Sequence, residues 1–240
     1  MMKVPPDLNP VQGILLLDKS KGPTSFRLVQ ILRKRLGVKK IGHAGTLDPF
    51  ATGVMVMLVG RAYTRLSDHF LCHDKEYLAE VFLGASTDTY DSEGVILTTS
   101  AIIPSLDQIQ DSLISFQGEV EQVPPMFSAK KIQGKKLYEL ARKGIEVERK
   151  PVKIHVNIQL MRYAYPHLEL KIRCSKGTYI RSIAYDLGEK LGCGAHLSNL
   201  RRTRSGHFCV EDCMGEAEFS SPDIDLRAYL KSHLTHQESD

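Results

Sequence analysis

No Cys-x-x-C pair occurs in this sequence, and its five cysteines (Cys72, Cys174, Cys193, Cys209 and Cys213) are odd in number and irregular in spacing. Neither a disulfide framework nor a structural zinc site is indicated. Cys209, Cys213 and His207 lie close together, but a fourth ligand at zinc-like spacing is missing. No apolar run approaches a membrane span, and the opening Met-Met-Lys-Val-Pro-Pro lacks the apolar stretch of a signal peptide. A cytoplasmic protein is expected. Internal repeats are absent, as is any linker dividing the chain into equal halves. One further absence is local: between Asp18 and Asp48 there is no acidic residue, while Lys19, Lys21, Arg27, Arg33, Lys34, Arg35, Lys39 and Lys40 all fall there.

What is present is an ordinary globular composition, 42% hydrophobic and 25% charged over 240 residues, enough to bury a substantial core. The charge is uneven. Residues 211–240 hold eight Asp/Glu and two Lys/Arg, so the +4 net charge leaves +10 on residues 1–210. A basic body suits nucleic acid, although +10 is also compatible with a generic solvated surface.

The apolar run Gly13–Asp18 reads as a buried strand. Thr24 or Ser25 caps a helix from Phe26 to Leu36, stopped by Gly37, with Phe26, Val29, Leu32 and Leu36 as its apolar face. Val54–Val59 reads as a second buried strand, followed by a short helix near Ala62–Phe70. Glu76–Leu83 alternates as a strand, and Ser86–Gly94 reads as a long loop. Ser105 caps a helix closed by Gly118. A short helix is expected over Lys135–Lys143, in a stretch (130–153) with nine Lys/Arg against three Glu. Val152–Leu160 and His167–Cys174 read as an antiparallel pair. Thr178 starts a helix through Leu191, Arg201-Arg202-x-Arg204 forms a third basic cluster, and the acidic end carries one helix, Leu226–Leu234. Strands and helices without regular β-α-β alternation predict an α+β fold on a mixed, mostly antiparallel sheet flanked by helices and loops.

Gly42-His43-Ala44-Gly45-Thr46-Leu47-Asp48-Pro49-Phe50-Ala51-Thr52-Gly53 has the composition of a rigid loop that presents one side chain. Glycine permits left-handed backbone and close approach, and proline pushes Asp48 toward an extended conformation. A lone carboxylate ending a basic run points to chemistry on a polyanion; the plainer reading is an Asp capping its own turn. Three further pieces are Leu17-Asp18-Lys19 ahead of Gly22-x-Thr24-Ser25, Tyr77 after Lys75-Glu76, and Ser175-Lys176-Gly177-Thr178-Tyr179-Ile180-Arg181. Met126-Phe127-Ser128-Ala129, Gly134–Glu139, and Gly192–Leu197 through Leu200-Arg201-Arg202-x-Arg204-Ser205-Gly206 complete the set.

Together these resemble the TruB family of stand-alone bacterial pseudouridine synthases, which act on uridine 55 in the TΨC loop of tRNA. The resemblance runs from about Gly13 to Val210. It implies the pseudouridine synthase fold, a catalytic domain over residues 1–210, and an isomerisation that requires no cofactor and no metal. Asp48 matches the catalytic aspartate and Arg181 the arginine that pairs with it. A carboxylate kept ionised beneath a flipped base requires a nearby cation, and a planar guanidinium suits that role. Tyr77 matches the tyrosine that stacks on the target base and is favoured for removing the C5 proton. Tyr179 matches a second pocket aromatic, with a core tyrosine at a helix start as the competing reading. Leu200 matches an apolar base contact and His43 a histidine that enters the RNA loop. Lys19 and Lys176 read as phosphate contacts, Lys19 also as support for the Asp48 loop. The target is stacked in a folded loop and must be extruded. The partner implied is therefore the T-arm stem-loop of tRNA, without a guide RNA, and the protein is taken as a monomer.

Two departures stand out. The usual Asp-Lys-Pro is Asp18-Lys19-Ser20 here. The thirty residues after 210 form a short acidic C-terminal tail, too few for the complete PUA domain of many relatives. A T-arm-binding tRNA chaperone is the main alternative, but a pure binder has no use for the set Asp48, Tyr77, Tyr179 and Arg181. Synthases for ribosomal RNA usually lack the Gly-His and Tyr-Ile-Arg forms, and a hydrolytic glycosidase would want paired carboxylates.

Overall fold

The computed structural model describes residues 11–132 and 134–232, in two compact units. One holds the residues up to His73 together with those from Arg202 onward; the other is Asp74–Arg201. These divisions fall at different places from residue 210, where the composition turns acidic. Among the described residues no helix is long and apolar enough to cross a membrane.

The first unit begins with β1 (Gly13–Lys19), α1 (Ser25–Leu36), β2 (Ile41–His43), β3 (Thr52–Val59), α2 (Arg61–Thr64) and α3 (Ser67–Leu71). β1 lies antiparallel to β3, from Gly13 opposite Val59 to Lys19 opposite Gly53. β2 pairs β3 at its end, His43 opposite Met57. Both long strands are buried on both faces, which is why they read as continuous apolar runs rather than alternating ones. Their side chains join Ala44, Phe70 and Phe208 in the core. Thr24 caps α1 by accepting the Arg27 N–H at 3.1 Å, and Gly37 ends it in the left-handed conformation (φ 68°). The buried row is Leu28, Val29, Leu32 and Leu36; Phe26, expected inside, is 55% exposed. The row Leu28-Leu32-Leu36 follows i, i+4 spacing, and Phe26 falls beside it, under the Arg33 guanidinium.

The second unit carries β4 (Lys75–Leu83), β5 (Ala85–Thr87), β6 (Ile96–Thr99), α4 (Leu106–Ile114) and β7 (Gly118–Gln122). It continues with β8 (Lys131–Ile132), β9 (Lys135–Lys136), α5 (Leu137–Ala141), β10 (Val152–Ala164), β11 (His167–Cys174), α6 (Ile180–Leu191) and β12 (Ala195–Ser205). Its sheet runs in the order β12-β4-β11-β10-β7, with β4–β11, β11–β10 and β10–β7 antiparallel. Ser105 and Gln108 close α4 with a capping box. The segment expected to be one long loop after Gly84 instead opens with β5, paired to β6, before it turns. β12 was not anticipated as a strand. Its buried positions are Ala195, Leu197, Leu200, Arg202 and Ser205, and an arginine at an inward position disguises the pattern.

The last residues of β12, from Arg202, belong to the first unit, which β13 (Phe208–Cys209) and α7 (Glu216–Ser220) continue. The acidic segment is folded along β1. Met214 bonds to both neighbours of Leu17, and Lys231 exchanges two hydrogen bonds with Ile14 at 2.8 and 2.9 Å. Met214, Phe219 and Leu226 are buried there, and Arg35 donates to the Phe219 and Ile224 carbonyls. The helix expected over Leu226–Leu234 is a 3-10 turn over Leu226–Tyr229; its final two residues lie outside the described part. The architecture is α+β with a mostly antiparallel sheet, as the order of elements predicted.

Candidate active site

The Asp48 loop leaves β2 at His43 and enters β3 at Thr52. Three apolar side chains pin it from inside: Leu47, Phe50 and Ala51 are at most 3% exposed, whereas Asp48 stays half-exposed. Polar groups pin its backbone. The buried Ser25 hydroxyl donates to the Leu47 carbonyl and accepts the Leu47 N–H, both at 3.0 Å. Gly22 N–H donates to the Pro49 carbonyl at 2.8 Å, and Ala51 N–H closes the turn on the Asp48 carbonyl at 3.1 Å.

Lys19 was read as a phosphate contact that also supports this loop, and the structure corrects the first half. Its side chain is 1% exposed, and Nζ donates to the carbonyls of Ser20 (2.9 Å), Pro49 (3.0 Å) and Ala51 (2.6 Å). An ammonium has three donors, and three carbonyls of the loop and its approach take them. Arg202, grouped with Arg201 and Arg204 as a basic surface cluster, is likewise 1% exposed. Its Nε donates to the Val54 carbonyl at 2.8 Å and its Nη2 to the Gly45 carbonyl at 3.2 Å.

His43 is half-buried on β2, and its Nδ1 is buried without a hydrogen-bond partner. Burial, and secondarily the positive charge of Arg202, holds its pKa below the ordinary histidine value. The shift favours the neutral imidazole over the imidazolium at pH 7.

In the second unit, Arg181 stands in the first turn of α6 and is 5% exposed. Its Nη1 donates to the Thr89 carbonyl at 2.8 Å and faces Asp91 Oδ2 at 3.4 Å; its Nη2 donates to the Phe127 carbonyl at 2.7 Å. Asp91 is fixed in turn by the Thr89 hydroxyl (2.6 Å) and the Glu93 N–H (3.0 Å) on Oδ1. Tyr90, between these anchors, has φ 65° and stacks on Tyr185 with ring centroids 4.0 Å apart. A left-handed tyrosine is an uncommon conformation that its surroundings must hold in place.

Tyr179 is the N-cap of α6 and half-exposed. The buried Gln122 amide clamps its backbone, Oε1 accepting its N–H at 2.8 Å and Nε2 donating to its carbonyl at 3.0 Å. Tyr77 sits on β4 opposite Ile172, and Leu200 on the neighbouring strand β12; they are 8% and 5% exposed. Lys176 is exposed in the turn before α6, where a phosphate can reach it. Asp91 and Gln122 are supporting residues that the sequence does not mark, and Ser25, read there in a motif and as a helix cap, turns out to hold Leu47.

The fold has known counterparts. One is a chain in a crystal structure of a Cbf5–Nop10–Gar1 complex, at TM-score 0.70 and 28% identity over 93% of this chain and 62% of that one. Another comes from an H/ACA ribonucleoprotein bound to a substrate RNA containing 2′-deoxyuridine, at TM-score 0.62 and 29% identity over 86% of this chain and 51% of that one. This chain thus spans between half and two thirds of those longer proteins. The class defined is the pseudouridine synthase fold. Within it, residues 33–180 match the N-terminal domain model of the TruB family pseudouridylate synthases, and residues 181–232 match the tRNA pseudouridylate synthase B C-terminal domain. A tRNA pseudouridine synthase B of Protochlamydia amoebophila is 71% identical over 87% of this chain and 79% of its own length. Another, from Chlamydia abortus, is 56% identical over 92% and 94%. The chain belongs to the TruB family.

Proposed function

We infer that this chain is a tRNA pseudouridine synthase that isomerises uridine 55 in the TΨC loop, with Asp48 as its catalytic carboxylate. Family membership supports the reaction, and the observation that carries the residue assignment is the build of the Asp48 loop. Lys19, Ser25, Arg202 and three buried apolar side chains immobilise its backbone, while the one carboxylate among them stays half-exposed.

The reaction breaks the N1–C1′ bond of uridine, turns the base and joins C1′ to C5; the C5 proton leaves and N1 gains one. It requires no redox change and no phosphate donor, so one carboxylate acting as nucleophile or base is enough. A fixed loop suits this because the attacking oxygen must sit at a set distance from a base turning within the site. In this reading Arg181 keeps Asp48 ionised, and the carbonyls of Thr89 and Phe127 and the Asp91 carboxylate orient its guanidinium. Tyr77 stacks on the detached uracil and receives the C5 proton, with Tyr179 and Leu200 forming further walls. A ring face holds a rotating base without demanding one orientation.

The target must be extruded at a cost of a few kcal/mol. His43 fills the RNA loop as a neutral ring, and exposed cations take phosphates: Lys176, with Lys131, Lys135, Arg142, Lys143 and Lys150. The partner is the T-arm stem-loop, recognised through loop shape and single-stranded bases. We assign the chemistry to residues 1–210 and propose a cytoplasmic monomer acting without a guide RNA. The test is an unmodified tRNA transcript treated with the protein, then with carbodiimide, and read by primer extension. A single new stop reporting position 55 is expected, and a stop elsewhere with none at 55 refutes the assignment.

A further inference from the structure

Arg202 heads the wholly buried side chains by size among the described residues, and no described carboxylate pairs with it. Burying an unpaired guanidinium is expensive, and a methionine or leucine would fill the same space at less cost. What the guanidinium does and an apolar side chain does not is hold two carbonyls at once. Gly45 and Val54 lie on either side of Asp48, so Nη2 on one and Nε on the other form a staple across the two ends of the loop. The main chain of Arg202 completes the grip. A Cβ at Gly53, whose φ is 103°, would run into the Arg202 carbonyl oxygen.

We propose that Arg202 is a positioning residue for the Asp48 loop, its buried guanidinium fixing the loop's two ends and with them the directions of His43 and Asp48. The inference rests on the reading of Asp48 as the catalytic carboxylate. It assigns Arg202 a role different from its neighbours: Arg204 is exposed on the same strand and remains a phosphate contact.

The charge of Arg202 gives this role a readout that packing alone lacks. β2 packs against α1, α2 and β3. α1 brings Arg27, Arg33, Lys34 and Arg35, α2 brings Arg61, and β3 brings no charge; on the loop itself the one carboxylate is Asp48. Of all these cations, Arg202 is the one that depresses the His43 titration.

The experiment compares wild type, Arg202→Met and Arg202→Lys for single-turnover rate on tRNA transcript, tRNA affinity, and His43 titration by NMR of the ring proton. Arg202→Met is expected to lose about 100-fold in rate, the scale of a small misplacement of reacting groups. Its affinity should change less than the rate, and its His43 titration should move up toward the ordinary histidine range. Arg202→Lys keeps the charge but lacks the fork to span both carbonyls, so it should leave His43 low while failing to restore the rate. A folded Arg202→Met with wild-type rate and unmoved His43 overturns the inference. Should that variant not fold, Arg202→Lys decides: a wild-type rate there overturns the inference, and a lost rate with tRNA affinity retained upholds it. Asp48→Asn runs alongside, because activity there sinks the reading of Asp48 itself, whereas an inactive Asp48→Asn beside a normal Arg202→Met sinks the Arg202 role alone.

Discussion

Arg181 and Asp91 face each other at 3.4 Å with both side chains 6% exposed, and neither relies on the other alone. The Thr89 and Phe127 carbonyls hold the guanidinium, while the Thr89 hydroxyl and Glu93 N–H hold the carboxylate. Two desolvated charges are tolerated because hydrogen bonds satisfy what their mutual attraction does not. Asp91→Ala removes a charged acceptor from a buried site, a loss of about 2–3 kcal/mol. Urea unfolding should show that loss, with turnover falling further than stability explains. A variant as stable and as active as wild type would mean that Asp91 is a bystander.

Ser25 is a sharper probe of the Asp48 loop, because its hydroxyl bonds to Leu47. Ser25→Ala leaves a buried N–H and a buried carbonyl without partners and is expected to cost about 1–3 kcal/mol. Since Leu47 precedes Asp48, kcat should drop while KM for tRNA stays near its original value. A rise in KM at constant kcat would place Ser25 on the binding side instead.

Gly53→Ala tests the close approach of β3 and β12. The added Cβ meets Arg202 main chain, and φ 103° is strained for any other residue. A loss of about 3 kcal/mol or more in thermal or urea unfolding is expected. Near-neutral behaviour would show that the two strands part easily.

The His43 shift has a definite sign. Its folded pKa lies below the unfolded value of about 6.5. As pH falls below that point, the unfolded chain takes up a proton that the folded chain resists, so stability declines. Above it, the group contributes no slope. Wild type should therefore lose more stability than His43→Gln between pH 7.5 and 5.5, the other histidines cancelling in the comparison. Parallel slopes in the two proteins would contradict the shift.

How far the sequence led is best seen residue by residue. β1 and β3 are legible as short continuous apolar runs, and β4 and the β10–β11 pair as alternating ones, because in each the pattern matches the burial. Phe26 misled because an aromatic at helical spacing looks like core, although a leucine row one step away took the buried face. Asp48 and Arg181 stood out through the motifs around them. Asp91 and Gln122 did not, since a carboxylate in a polar turn and an amide on a strand carry no local mark of the residues they hold. The phosphate reading of Lys19, unlike its reading as a support of the Asp48 loop, and the surface reading of Arg202 fail for a related reason. A sequence shows charge but not depth, and both side chains turn inward to bind carbonyls of one loop.

The central claim is that Asp48 performs chemistry on a uridine. Tritium release from C5-labelled uridine in a T-arm stem-loop RNA, wild type beside Asp48→Asn, tests it most directly. Release by the wild type and none by the variant is expected, with RNA binding retained in both. Release by Asp48→Asn at the wild-type rate, or tight binding without release by the wild type on stem-loop and whole tRNA alike, would contradict it.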